Sequence, residues 1–156
     1  MKALRCMIAV AALAVYGPAQ AAVGDPEVIL YRVPGVTDSG GAGQTGIVTV
    51  FHCTNFSGVN ETVRVVVRAN GGTLLSNQQL TVAHLNTGTW ATRDAASVGE
   101  NVNMNTPLIA HGTAAISATS VNVVCTAMLL DASPFFSPVG IKLQQIRFNP
   151  IAGTQE

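Results

Sequence analysis

The stretch TVRVVVRA, residues 62–69, decides the fold. Val63, Val65, Val67 and Ala69 fall on one side of an extended chain, and Arg64 and Arg68 fall on the other. Successive side chains of a strand point to opposite faces, so this alternation marks a strand with one buried and one solvated face. Asn70-Gly71-Gly72 closes it. Asn and Gly accept positive φ, which makes the tripeptide a hairpin signal.

The same grammar recurs on both sides. Upstream, residues 28–33 (VILYRV) form a short apolar run that Pro34-Gly35 is expected to end. Residues 35–46 are a glycine-rich loop, and residues 46–54 (GIVTVFHCT) carry the β-branched and aromatic residues that favour strands. Residues 56–61 read as a turn. Downstream, residues 73–85 read as one or two short strands, and Asn86-Thr87-Gly88 turns the chain into residues 89–93 (TWATR). Residues 94–107 are polar and irregular. A small-residue strand follows at 114–120, then the most hydrophobic strand, 121–131 (VNVVCTAMLLD), placed centrally. Residues 133–140 form a proline-bounded loop, and residues 141–148 (IKLQQIRF) read as the last strand.

No long segment keeps a helical period. Many short strands with regular turn signals predict an all-β domain, an Ig-like antiparallel β-sandwich of about seven to eight strands. A true antibody-type domain has a Trp soon after the first Cys and a Tyr two residues before the second. Here Trp90 comes late and Val123 holds the Tyr position, so the strand topology stays open.

The N-terminus reads as a targeting segment. Lys2 and Arg5 precede the apolar run CMIAVAALAV (residues 6–15), Gly17-Pro18 breaks it, and Ala19-Gln20-Ala21 fits an A-x-A cleavage site. That order is a secretory signal peptide, residues 1–21, and the run is about half of the ~20 residues a spanning helix needs. The domain then covers residues 22–156. It keeps six Lys and Arg against eight Asp and Glu, with Lys142 as its one lysine. So weak a positive charge argues against a nucleic-acid partner.

Cys53 and Cys125 remain after export. An even number in an oxidising compartment favours pairing. In FHCTN (residues 51–55), His52 points away from Cys53 if the chain is extended, so the two cannot act as a local nucleophile and base. A structural disulfide is therefore expected, and the separation of the two cysteines suits a bridge between the sheets. Such a bridge closes a loop worth roughly 4 kcal/mol by chain-entropy arguments.

The search for chemistry finds little. The loop SGGAGQTG (residues 39–46) lacks the Lys-Ser/Thr pair of a phosphate-binding loop. No His follows Cys125 as a blue-copper site needs, and no G-x-S-x-G elbow is present. A metal or hydrolytic site would have to gather His52, His84, His111 and Asp131 in space. No catalytic residue, metal or cofactor is expected. Asn55-Phe56-Ser57 and Asn60-Glu61-Thr62 match the glycosylation sequon. Among Tyr31, Phe56, Trp90, Phe135 and Phe136, the pair Phe135-Phe136 and Trp90 are the candidate contact surface, for a protein or a glycan.

Three motifs occur together: Cys53-Thr54-Asn55, then Gly72-Thr73-Leu74-Leu75, then Cys125-Thr126-Ala127-Met128-Leu129-Leu130-Asp131. With them the chain resembles a group of small exported bacterial proteins of unassigned function, whose pattern runs C-T-N … G-x-L-L … C-T-A-x-L-x-D. The resemblance implies a secreted β-sandwich and no activity. The expected function is binding or assembly in the periplasm or at the cell surface, without catalysis or a membrane anchor. A carbohydrate-binding module, a pilus or adhesin subunit, and a metal-dependent or hydrolytic enzyme are the alternatives.

Overall fold

The structure is a computed structural model that describes residues 27–40, 45–95, 97–133 and 140–147. Residues 1–21, expected to be a signal segment, and the pair Phe135-Phe136 lie outside the described residues. The strands are β1 (Val28–Asp38), β2 (Ile47–Asn55), β3 (Glu61–Ala69), β4 (Leu74–Val82) and β5 (Thr87–Ala91). There follow β6 (Val102–Asn103), β7 (Ile109–Ala118), β8 (Val123–Asp131), β9 (Ile141–Lys142) and β10 (Ile146–Arg147). They form two sheets, ordered β10-β1-β7-β3-β4 and β6-β5-β2-β8-β9. Neighbours are antiparallel apart from the short pair β5–β6. The fold is a β-sandwich, with seven strands of five residues or more.

The core forms where the alternation predicts it. Val63, Val65 and Val67 of β3 are fully buried. They meet Phe51 and Cys53 of β2, Trp90 of β5 and Ile116 of β7 in the layer between the sheets. Asn70-Gly71-Gly72 makes the β3–β4 hairpin, with Gly72 at φ 82° and Gly72 N–H donating to Ala69 O at 2.9 Å.

Several boundaries differ from the sequence reading. Pro34-Gly35 does not end β1. The strand passes through it with register shifts against β7, between Pro34 and Val36 and again before Asp38, and Gly35 takes φ 81°. A bulge is the place where a strand tolerates a proline. Residues 73–85 hold a single strand of nine residues, β4. The run 141–148 is not one strand. β9 pairs with β8 in one sheet, and the chain then crosses so that β10 pairs with β1 in the other.

The disulfide is present, but it does not bridge the sheets. Cys53 and Cys125 stand opposite one another on neighbouring strands of a single sheet, with Cα atoms 4.1 Å apart. That close approach belongs to the non-hydrogen-bonded pairs of an antiparallel ladder. Polar groups tie the sheets together instead. Buried Thr49 of β2 donates from Oγ1 to Thr37 O of β1 at 2.7 Å and accepts from Thr37 N–H at 2.9 Å. Asp38, at the end of β1, accepts from Arg93 Nε at 3.0 Å.

β2 is also buried on its second face. Val48 and Val50 join Ala91, Leu130 and Ala132 in a smaller core, with Ala95 and Val98 packed on it. The segment after β5 folds over the outside of the sheet here. Ser97 Oγ donates to Asp131 O at 3.2 Å, and Thr106 N–H donates to Thr92 O at 2.8 Å.

Candidate functional site

One end of the sandwich gathers three turns: 56–60 between β2 and β3, 83–86 between β4 and β5, and 119–122 between β7 and β8. Asn55 joins the first two. It is fully buried. Its Nδ2 donates to Val59 O at 2.6 Å and to Val82 O at 2.8 Å, and its Oδ1 accepts from Ser57 N–H at 2.8 Å. Its backbone O accepts from Leu85 N–H at 2.7 Å. His84 Nδ1 accepts from Gly58 N–H at 3.0 Å, which locks the second turn to the first. The third turn joins through Phe56 N–H, which donates to Asn122 O at 3.0 Å.

This frame holds apolar side chains out into solvent. Val59 is 63% exposed, Leu85 64%, Phe56 52% and Val121 41%. Leu85 also sits at φ 62°. The left-handed region costs a leucine roughly 1–2 kcal/mol relative to its ordinary conformations. An exposed leucine in a strained conformation adds nothing to the core, and such strain concentrates at functional places.

The residues singled out from the sequence fall elsewhere. Trp90 is fully buried in the main core. It cannot serve as a contact platform, and this corrects that expectation. A strand residue facing the second sheet is covered whatever its chemistry, and Gly88 leaves room for its ring: a Cβ there would lie 2.9 Å from the indole. Tyr31 is buried as well. Of the sequons, Asn55 has both amide hydrogens engaged inside the fold and is closed to modification. Asn60 is exposed.

His52, His84 and His111 do not meet. His52 is half-buried on the outer face of β2, with Nδ1 3.0 Å from Thr89 Oγ1, and burial pushes its pKa below the usual value. His111 is exposed on β7 in the other sheet, and Asp131 is exposed at the end of β8. Among the described residues, no group of three His, Cys, Asp or Glu is placed to hold a metal ion. A cleft of about 380 Å³ lies beside the β9–β10 crossing, lined by Tyr31, Lys142, Leu143, Gln144 and Gln145. Lys142 is the one charged side chain among its described lining residues.

A polar network covers the outer face of the other sheet. Glu27 accepts from Arg64 Nε at 2.8 Å and Nη2 at 3.0 Å, and from Ser117 Oγ at 2.8 Å. The Arg64 hydrogen bond holds the Glu27 carboxyl below its ordinary pKa, against the opposing effect of burial. Arg64 also donates to Asn77 and Gln79 of β4.

Comparison of the chain with protein-family models, with curated proteins and with solved structures returned no match.

Proposed function

We propose that this chain is a non-enzymatic exported β-sandwich with a binding or assembly role in the periplasm or at the cell surface. The three-turn end carries the reading: four apolar side chains stand in solvent on turns fixed by Asn55, Phe56 N–H and His84. Exposed apolar residues on rigid turns form a contact surface that needs little ordering on binding. The expected partner is a protein or a glycan of the envelope. The disulfide suits an oxidising compartment and so supports export, as does the signal-like segment at residues 1–21.

The carbohydrate reading loses its platform with Trp90 in the core, and Phe56 is the exposed aromatic that remains to it among the described residues. The hydrolytic or metal reading draws no support from His52, His84, His111 and Asp131, which lie on separate surfaces.

The test places a photo-crosslinking residue at Val59 or, on a different surface, at His111, and exposes each protein to envelope fractions. An adduct is expected from position 59 alone, competed by the unmodified protein and not by a Phe56→Ser/Leu85→Asn variant. Leu85→Asn should also raise stability, by roughly 0.5–1 kcal/mol, because Asn tolerates positive φ. Equal labelling at both positions, or equal competition by the variant, rejects the turn end as the contact surface. Export has its own check: the intact mass of the protein from the source cell should begin at Ala22.

A further inference from the structure

The four sheet edges are not treated alike. β10 covers β1, β9 covers β8 and β6 covers β5, each a strand of two residues. Gln145 extends the cover on β8. With its amide turned to suit them, it donates to Cys125 O at 2.8 Å and accepts from Ala127 N–H. At the fourth edge stands β4, nine residues long, with no strand on its outer side among the described residues.

The register fixes which groups of β4 face away from β3. On β3, Thr62 O is taken by Thr119 N–H on the β7 side. Hydrogen-bonding direction alternates along an antiparallel strand. Glu61, Val63, Val65 and Val67 therefore face β4, where they pair with Val82, Leu80, Gln78 and Ser76. That leaves the N–H and C=O groups of Leu75, Asn77, Gln79 and Thr81 directed outward. Sheets usually guard such an edge with lysine, proline or a bulge in mid-strand. β4 reads LLSNQQLTV and has no charged residue, proline or glycine. Its one register shift lies at the Leu74 end.

We propose that β4 pairs with β4 of a second copy of this chain, antiparallel about a two-fold axis at Gln78. About that axis Leu75 faces Thr81 and Asn77 faces Gln79, so every outward group on both copies meets its complement. Self-complementarity of this kind is what an isologous interface requires. Gln78 is exposed and meets its own copy as a non-hydrogen-bonded pair, the closest approach in the ladder. On the outer face, Asn77 stands beside Gln79 of the partner, amide against amide. No like charges oppose one another, since the nearest guanidinium, Arg64, is one strand further in and already paired with Glu27. The result is one continuous sheet through both molecules. The inference is independent of the turn-end surface.

The test uses the oxidised mature chain in sedimentation velocity over a concentration series. A reversible monomer–dimer equilibrium is expected. Gln78→Lys places two ammonium groups across the axis and should weaken the dimer at least ten-fold, with unchanged circular dichroism. Gln78→Cys should form an intermolecular disulfide on mild oxidation, much faster than Thr81→Cys, whose partner is Leu75. A protein that stays monomeric at millimolar concentration overturns the proposal, as would occur if β4 instead receives a strand of a different protein. A dimer indifferent to Gln78→Lys, or one that crosslinks faster through position 81 than through 78, overturns it equally.

Discussion

Asn55 shows how one side chain organises a whole end of the molecule. It satisfies Val59 O, Val82 O and Ser57 N–H from inside the fold. Removing one partner of a buried hydrogen bond leaves the other unsatisfied, which costs about 1–3 kcal/mol for each group that water cannot reach. Asn55→Ala is therefore expected to lose roughly 2–4 kcal/mol in urea unfolding. Asn60→Ala, at the exposed sequon, should stay within about 0.5 kcal/mol of the parent. Two other residues contribute to the response to pH. Neutral His52 is favoured by burial, so its folded pKa is depressed. The unfolded chain then binds the proton better, and stability falls as pH drops below about 6.5, levelling off below the folded value. Glu27 is also depressed, by its hydrogen bonds with Arg64. Its contribution is complete above the unfolded value and disappears as pH falls below about 4.3 toward the folded pKa. Thermal midpoints from pH 8 to 3 should therefore decline in two stages. Glu27→Gln should flatten the lower stage, and His52→Gln the upper one.

At the scale of the element, the disulfide is a staple within a sheet. It joins β2 to β8, which are already paired along nine residues. Its value lies in restricting the unfolded chain, since it closes a separation of 72 residues. Replacing both cysteines by alanine should cost roughly 4 kcal/mol by chain-entropy arguments. The sandwich should survive, because Thr49 and the Asp38–Arg93 pair, not the cysteines, link the sheets. Retained near-ultraviolet dichroism of Trp90 with a lowered denaturation midpoint is the expected result; loss of the folded signal would show that the staple sets the strand register. The pairing of Cys53 with Cys125 was legible in the sequence, and its place within one sheet was not. Two strands distant in the chain can be neighbours or lie opposite, and spacing does not distinguish these. β3 was legible because one face is solvated and its arginines mark the period. Burial of Val48 and Val50 on the outer face of β2 was hidden, because the segment that covers them is mostly polar and supplies, among the described residues, the small side chains of Ala95 and Val98. Pro34-Gly35 misled because a bulge accommodates what a regular ladder rejects. The turn end was only partly legible. Leu85 and Val59 carry no motif, and their exposure follows from the hydrogen bonds of Asn55, which the sequence presents as a sequon.

At the scale of the whole molecule, the unevenness of the edges becomes a statement about local stability. The C-terminal chain crosses from β8 to β1 and closes one side of the sandwich. It holds on by two register pairs at each sheet, by Leu143 N–H donating to Ala127 O at 2.9 Å, by the Gln145 amide, by Arg147, which donates from Nη2 to Val121 O at 2.9 Å and stands over the Tyr31 ring, and by the half-buried Leu143 side chain against the core. Ile141 and Ile146 are largely exposed. A segment with few buried apolar contacts opens well before the core does. In native-state hydrogen exchange, the amides of Leu143 and of β10 should open with free energies about 2 kcal/mol or more below the global value, while Val63 and Val65 should exchange only through global unfolding. Gln145→Ala isolates the edge from the crossing itself. Cys125 is in a non-hydrogen-bonded pair with β2, so Ala127 also directs its N–H outward, toward Gln145. Met128 directs its N–H inward to β2. The variant should speed exchange at Ala127 and leave Met128 unchanged. If the crossing exchanges together with Val63, it belongs to the cooperative core. In that case β4 differs from the covered edges in kind: they are sealed as firmly as the interior, and among the described residues the open edge of this sandwich lies at β4.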